Sequence, residues 1–127
     1  MQDRSLFEYA VIRVVPRVER EEFMNVGVIL YCSKHKYLKM LYKLDADRLL
    51  AFAKDVDVEV IEQNLSSFKR ICDGDKDGGP IAELDAPSRF RWLTATRSTV
   101  VQTSKVHPGF CKDGDNELQK LFDQLVN

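Results

Sequence analysis

Hydrophobic positions along this chain alternate at a strand period first and recur at a helix period later. Residues 7–15 (FEYAVIRVV) are β-branched and aromatic, apolar on both alternating faces apart from Glu8 and Arg13, which predicts a central strand stopped by Pro16. A charged link, RVERE, leads into residues 23–32 (FMNVGVILYC). There Met24, Val26, Val28, Leu30 and Cys32 are expected on one face, while Asn25 and Gly27 break the other. Gly27 inside a strand points to a bulge or a close backbone approach. After a short turn at residues 33–36, Lys39 and Lys43 point outward and Leu38, Met40 and Tyr42 inward, completing a three-stranded antiparallel meander.

The period then changes. Asp45 and Asp57 are candidate N-caps for two helices, and Val58, Ile61, Leu65, Phe68 and Cys72 recur at spacings of three and four, forming one apolar stripe. Residues 80–93 are ambiguous, with a short helix opening at Ser88 as the working expectation. Residues 99–103 read as a fourth strand and His107-Pro108-Gly109 as a turn. Asp113 or Asp115 caps a last helix with a core face of Leu118, Leu121, Phe122, Leu125 and Val126. The expected architecture is α+β: one domain over residues 1–127, with an antiparallel sheet of about four strands and helices packed mainly on one face.

Composition narrows the class. At 127 residues, 44% hydrophobic and 31% charged, the chain can bury a core without disulfides or metal. No apolar run reaches the ~20 residues of a membrane span, and MQDRSLFEY mixes charges before any apolar stretch. No signal peptide, no membrane contact and a cytoplasmic location are therefore expected. Cys32, Cys72 and Cys111 are odd in number and widely spaced, which fits free thiols in a reducing compartment. A formal net charge of −1 argues against sequence-indifferent coating of nucleic acid.

Charge is nevertheless unevenly placed. Residues 88–112 contain no Asp or Glu, yet hold Arg89, Arg91, Arg97, Lys105, Lys112, His107 and the single Trp92. Guanidinium groups match phosphate and carboxylate bidentately, and Arg89, Arg91 and Arg97 bracket an aromatic ring suited to stacking. The competing reading is internal pairing with acids elsewhere and a Trp92 that is simply core. A second cluster (Arg13, Arg17, Glu19, Arg20, Glu21, Glu22 and Asn25) surrounds the link between the first two strands and reads more plainly as a solvated charged loop.

Two further motifs carry less. Residues 73–78 (DGDKDG) open like a calcium loop, but Leu84 stands where the bidentate Glu should close it, so an Asp/Gly turn is expected. In HPGFC, His107 precedes Cys111 by four residues, but the spacing fixes no dyad and names no orienting group, so a surface His and a core Cys are expected. No cofactor, metal site or catalytic residue is assigned.

The runs YAVIRVVPRVEREEFMNVGVILYC and SRFRWLTATRSTVVQTSKVHPGFC resemble a bacterial domain-of-unknown-function family, number 3037, over nearly the whole chain. The matching positions are Pro16, Arg17, Glu19, Arg20, Glu22, Phe23, Asn25 and Gly27, then Arg89 to Leu93, Arg97, Ser98, Gln102, Ser104, Val106, His107, Gly109 and Cys111. Relatives often carry proline where this chain has Thr96, Thr103 and Lys105. The resemblance implies no activity. It does imply a small accessory subunit, since relatives are often encoded beside a kinase-like protein of the HipA type. The expected function is a non-catalytic binding module whose face includes Arg17, Arg89, Arg91, Trp92, Arg97, Ser98, Gln102 and His107, holding a small anionic ligand or a partner protein. The alternatives are a small enzyme using His107 and Cys111 with arginine clamps, or a module for single-stranded nucleic acid.

Overall fold

The computed structural model describes residues 4–126. The chain runs β1 (Ser5–Val14), β2 (Met24–Cys32), β3 (Tyr37–Tyr42), α1 (Ala46–Phe52), α2 (Val58–Asp73), α3 (Ala86–Leu93), β4 (Val101–Thr103), β5 (His107–Cys111) and α4 (Gly114–Leu125). The strands form one antiparallel sheet in the order β3-β2-β1, and the far edge of β1 is shared by two short strands. β5 pairs with its first half and β4 with its second. The class is α+β.

Both faces of the sheet are covered, unequally. Ala10, Ile12 and Val14 of β1 pack with Leu49 of α1, Ile61, Leu65 and Phe68 of α2, and Phe90 and Leu93 of α3. On the opposite face Phe7, Val28, Leu30 and Cys32 meet Leu118, Leu121 and Phe122 of α4. The apolar stripes read from sequence for α2 and α4 are the stripes that pack.

The single apolar face expected for β2 is divided. Register slips between Ile12 and Arg13: Gly27 lies opposite Ile12, but Asn25 lies opposite Arg13, leaving Val26 as an extra residue. This bulge rotates the strand, so Met24 and Val26 join the three-helix side while Val28, Leu30 and Cys32 face α4. Glycine is required here because a Cβ at position 27 would stand 2.6 Å from the Leu41 carbonyl oxygen and 2.8 Å from Tyr42 Cβ. The bulge also sets the direction of Arg13 and of Asn25, whose amide donates to the Leu125 carbonyl at 3.2 Å.

His107-Pro108-Gly109 is strand, not turn. It forms β5, with His107 opposite Tyr9 and Gly109 opposite Phe7. Proline is tolerated because β5 is an edge strand, and glycine leaves room for the Phe7 ring, 2.6 Å from where a Cβ would stand. Likewise α3 opens at Ala86 rather than Ser88. Asp85 accepts from the Ser88 N–H, and a proline fills the first turn, where its missing N–H is no loss.

Between β4 and β5 the edge is held by one side chain. Ser104 is buried, its N–H donates to the Val11 carbonyl, and its hydroxyl accepts from the Val11 N–H at 2.8 Å while donating to the Lys105 carbonyl. Ser104→Ala would leave the buried Val11 N–H unpartnered and is expected to destabilise by about 1–3 kcal/mol in urea unfolding. A change below the error of that measurement would mean water replaces the hydroxyl.

Candidate functional site

Two arginines from distant parts of the sequence line one groove of about 510 Å³, at the end of the sheet where β1 gives way to its link. Arg13 sits on β1 in register with Gln102 of β4. Its guanidinium carbon lies 3.9 Å from the centroid of the Phe23 ring. Phe23 returns to this position because the link makes a 3-10 turn (Val18–Arg20) and then a left-handed residue, Glu21 at φ 58°. Glu21 and Val18 form the outer wall. The Nε of Arg13 is buried without a hydrogen-bond partner.

Arg97 enters from the other side. It follows α3, whose anchoring by buried Phe90 and Leu93 fixes where the helix ends. Its guanidinium carbon stands 4.5 Å from the Trp92 ring and 5.5 Å from the Phe68 ring. It donates through Nε to the Ala95 carbonyl and through Nη2 to the Trp92 carbonyl. Burial among these groups pulls its pKa down from the usual arginine value. Two of its five N–H donors are so engaged, which leaves three for an incoming acceptor. Ser98 and Gln102 complete the groove beside it, and the Gln102 amide is steadied by donating to the Thr99 carbonyl at 2.7 Å.

Arg97 also forms one wall of a second hollow of about 240 Å³, lined by Phe68, Ile71, Trp92 and Val101 with Asn64, Ser67 and Thr99.

Among the described residues the cations of the acid-free stretch form no ion pair, although Asp85 lies near Arg89. Among the described residues, none of Arg13, Arg89, Arg91 and Arg97 forms an ion pair; the pairs that exist are Arg17–Asp55, Arg20–Glu22, Lys39–Asp115 and Lys69–Asp73. Two guanidinium groups facing one concavity whose single acid is Glu21 leave one positive charge that the lining does not balance.

The residues singled out from sequence thus divide. Arg97, Ser98 and Gln102 come together, with Trp92 beneath Arg97. Arg17 lies in a different and larger hollow of about 710 Å³, where Asp55 and Glu22 neutralise it and Arg20. Arg89 ties the turn before α3 to the helix by donating to the Leu84 carbonyl at 2.6 Å. Arg91 is exposed on α3. His107 is exposed on β5 with its ring 5.3 Å from that of Tyr9. Along the strand it stands roughly 13 Å from Cys111. Cys111 is buried, and that burial, with Cys32, Glu117 and Asp113 nearby, pushes its thiol pKa up, away from the thiolate a nucleophile needs.

The calcium-like loop has other employment for its acids. Asp73 pairs with Lys69, Gly74 is the left-handed cap of α2, and Asp75 accepts from the Asp77 N–H. No cluster of three or more metal-ligating side chains occurs among the described residues.

Sequence reasoning missed Phe23 as a site residue. For Arg13, the acid-free segment leads one to expect that Arg89, Arg91 or Arg97 converges with Arg17 or Arg13 on one concave patch, and the pair that shares a groove is Arg97 with Arg13. The signal in the sequence is that Arg13 is the one cation of residues 7–15, a run that is apolar apart from it and Glu8.

Among known proteins, residues 9–126 match the family model described as "Protein of unknown function (DUF3037)". No curated protein and no solved structure matches the chain.

Proposed function

The chain belongs to the DUF3037 family, and on that premise, which names no activity, we propose that it is a non-catalytic module binding a small anion in the Arg13–Arg97 groove. The observation that carries this reading is that two guanidinium groups, neither held in an ion pair, line one concave surface with a single acid, Glu21. Arg97 offers free donors, Ser98 adds a hydroxyl, and the ring beneath each arginine holds it in place before any ligand arrives. A preset arginine loses little side-chain freedom on binding.

Separation of His107 from Cys111 along β5 supports the non-catalytic reading. Three buried, unbridged cysteines support a reducing, cytoplasmic setting. Among the described residues no helix is long and apolar enough to cross a membrane.

Calorimetric titration with acetate and inorganic phosphate at low salt tests the proposal. Arg13→Lys and Arg97→Lys should each weaken binding about tenfold or more, because an ammonium cannot reproduce the bidentate fork. Their melting temperatures should stay within about 3 °C of the parent, and Arg91→Lys should change neither property. Wild-type affinity in both groove variants would refute the site. Lost stability with unchanged affinity would make the arginines structural.

A further inference from the structure

The groove does not end at Arg97. The guanidinium stands between Trp92 and Phe68 and partitions the groove from the second hollow, so one ligand can touch both by passing along this side chain. The two sides differ in chemistry. On the groove side Arg13 and Arg97 share the lining with a single acid, Glu21, which leaves one net positive charge. One negative charge balances that; two would not. A carboxylate is singly charged and planar, and it fits the guanidinium fork.

On the far side the wall is Trp92, Phe68, Ile71 and Val101, and Trp92 is left 39% exposed. A large aromatic surface kept open to solvent beside a cation offers a stacking face. The hollow, at about 240 Å³, exceeds the roughly 150 Å³ that suffices to hold benzene in an apolar cavity.

We infer that the site takes a small aromatic carboxylic acid, its carboxylate on Arg97 and Arg13 and its ring in the hollow beside Trp92. This rests on the anion-binding reading and adds the class of ligand to it. Neither half suffices alone: the arginines give no reason for an exposed Trp92, and the apolar hollow gives no reason for unneutralised arginines.

The test compares acetate, 3-phenylpropionate and the uncharged 3-phenylpropionamide by calorimetry and by the fluorescence of Trp92, the only tryptophan. The phenyl acid should bind at least tenfold more tightly than acetate and perturb Trp92 emission, and the amide should lose most of that affinity. Ser67→Phe, at an exposed position of α2 on the rim of the hollow, should remove the phenyl advantage while leaving acetate affinity unchanged. Asn64→Phe, also exposed on that rim, repeats the block should the first variant be poorly folded. Equal affinity for acetate and 3-phenylpropionate overturns the inference and leaves the anion site standing. An amide that binds as tightly as the acid also overturns it. Failure of every carboxylate to bind overturns the inference, and failure of inorganic phosphate besides sinks the underlying reading as well.

Discussion

Phe90→Ala is expected to destabilise the protein by about 3–5 kcal/mol in equilibrium urea unfolding. Phe90 is 2% exposed and stacks on Tyr31 of β2 with ring centroids 5.3 Å apart. It is the main anchor of an eight-residue helix, too short to be stable without tertiary packing. Removing the ring deletes that contact and leaves a cavity between α3 and the sheet that the flanking backbone cannot fully close. The same change should weaken anion binding, because α3 places Trp92 and sets the start of the segment that carries Arg97. A loss below about 1 kcal/mol would show that α3 does not pack as described.

Gly27→Ala is the second large effect. Its added methyl would meet the Leu41 carbonyl oxygen and Tyr42 Cβ at less than van der Waals distance, and neither is the loose end of a flexible side chain. β3 must therefore move away from β2, or the bulge must slip. Overpacking of this kind costs about 1–3 kcal/mol, and a slipped bulge adds to it by turning core residues toward the wrong face. The expected result is a melting temperature lowered by several degrees or more, with broadened amide signals across Asn25 to Val28. A variant as stable as the parent would mean that the strands are spaced more widely than the structure has them.

Strands and helices whose periodicity is undisturbed were legible from residues alone. α2 reads cleanly because an Asp caps it, a glycine ends it and its apolar stripe is continuous. What failed did so where one residue changes the rule of its neighbours. Gly27 marks the bulge in sequence, but the switch of face at Met24 and Val26 depends on which residue is the extra one, and only strand pairing decides that. β5 was obscured by proline and glycine, which mark a turn in most settings and an edge strand in this one. α3 was blurred by a proline in its first turn, although Asp85 before it is a good cap signal.

The site divides along the same line. Arg97, Ser98 and Gln102 lie within a few residues of one another, so the acid-free composition of that segment exposed them. Arg13 reaches them only through strand pairing, and its partner Phe23 only through the left-handed turn at Glu21; both are tertiary facts. Composition alone also drew in Arg89, Arg91 and His107, which share the segment but not the groove.

If Arg13 and Arg97 together receive an anion, both guanidinium groups must sense it. Side-chain Nε–Hε nuclear magnetic resonance signals of the arginines, followed during titration with acetate, test this most directly. Saturable shifts are expected at Arg13 and Arg97 with one common dissociation constant, and none at Arg17 and Arg20, whose carboxylate partners already occupy them. Shifts confined to Arg17 and Arg20, or differing constants at Arg13 and Arg97, would contradict this.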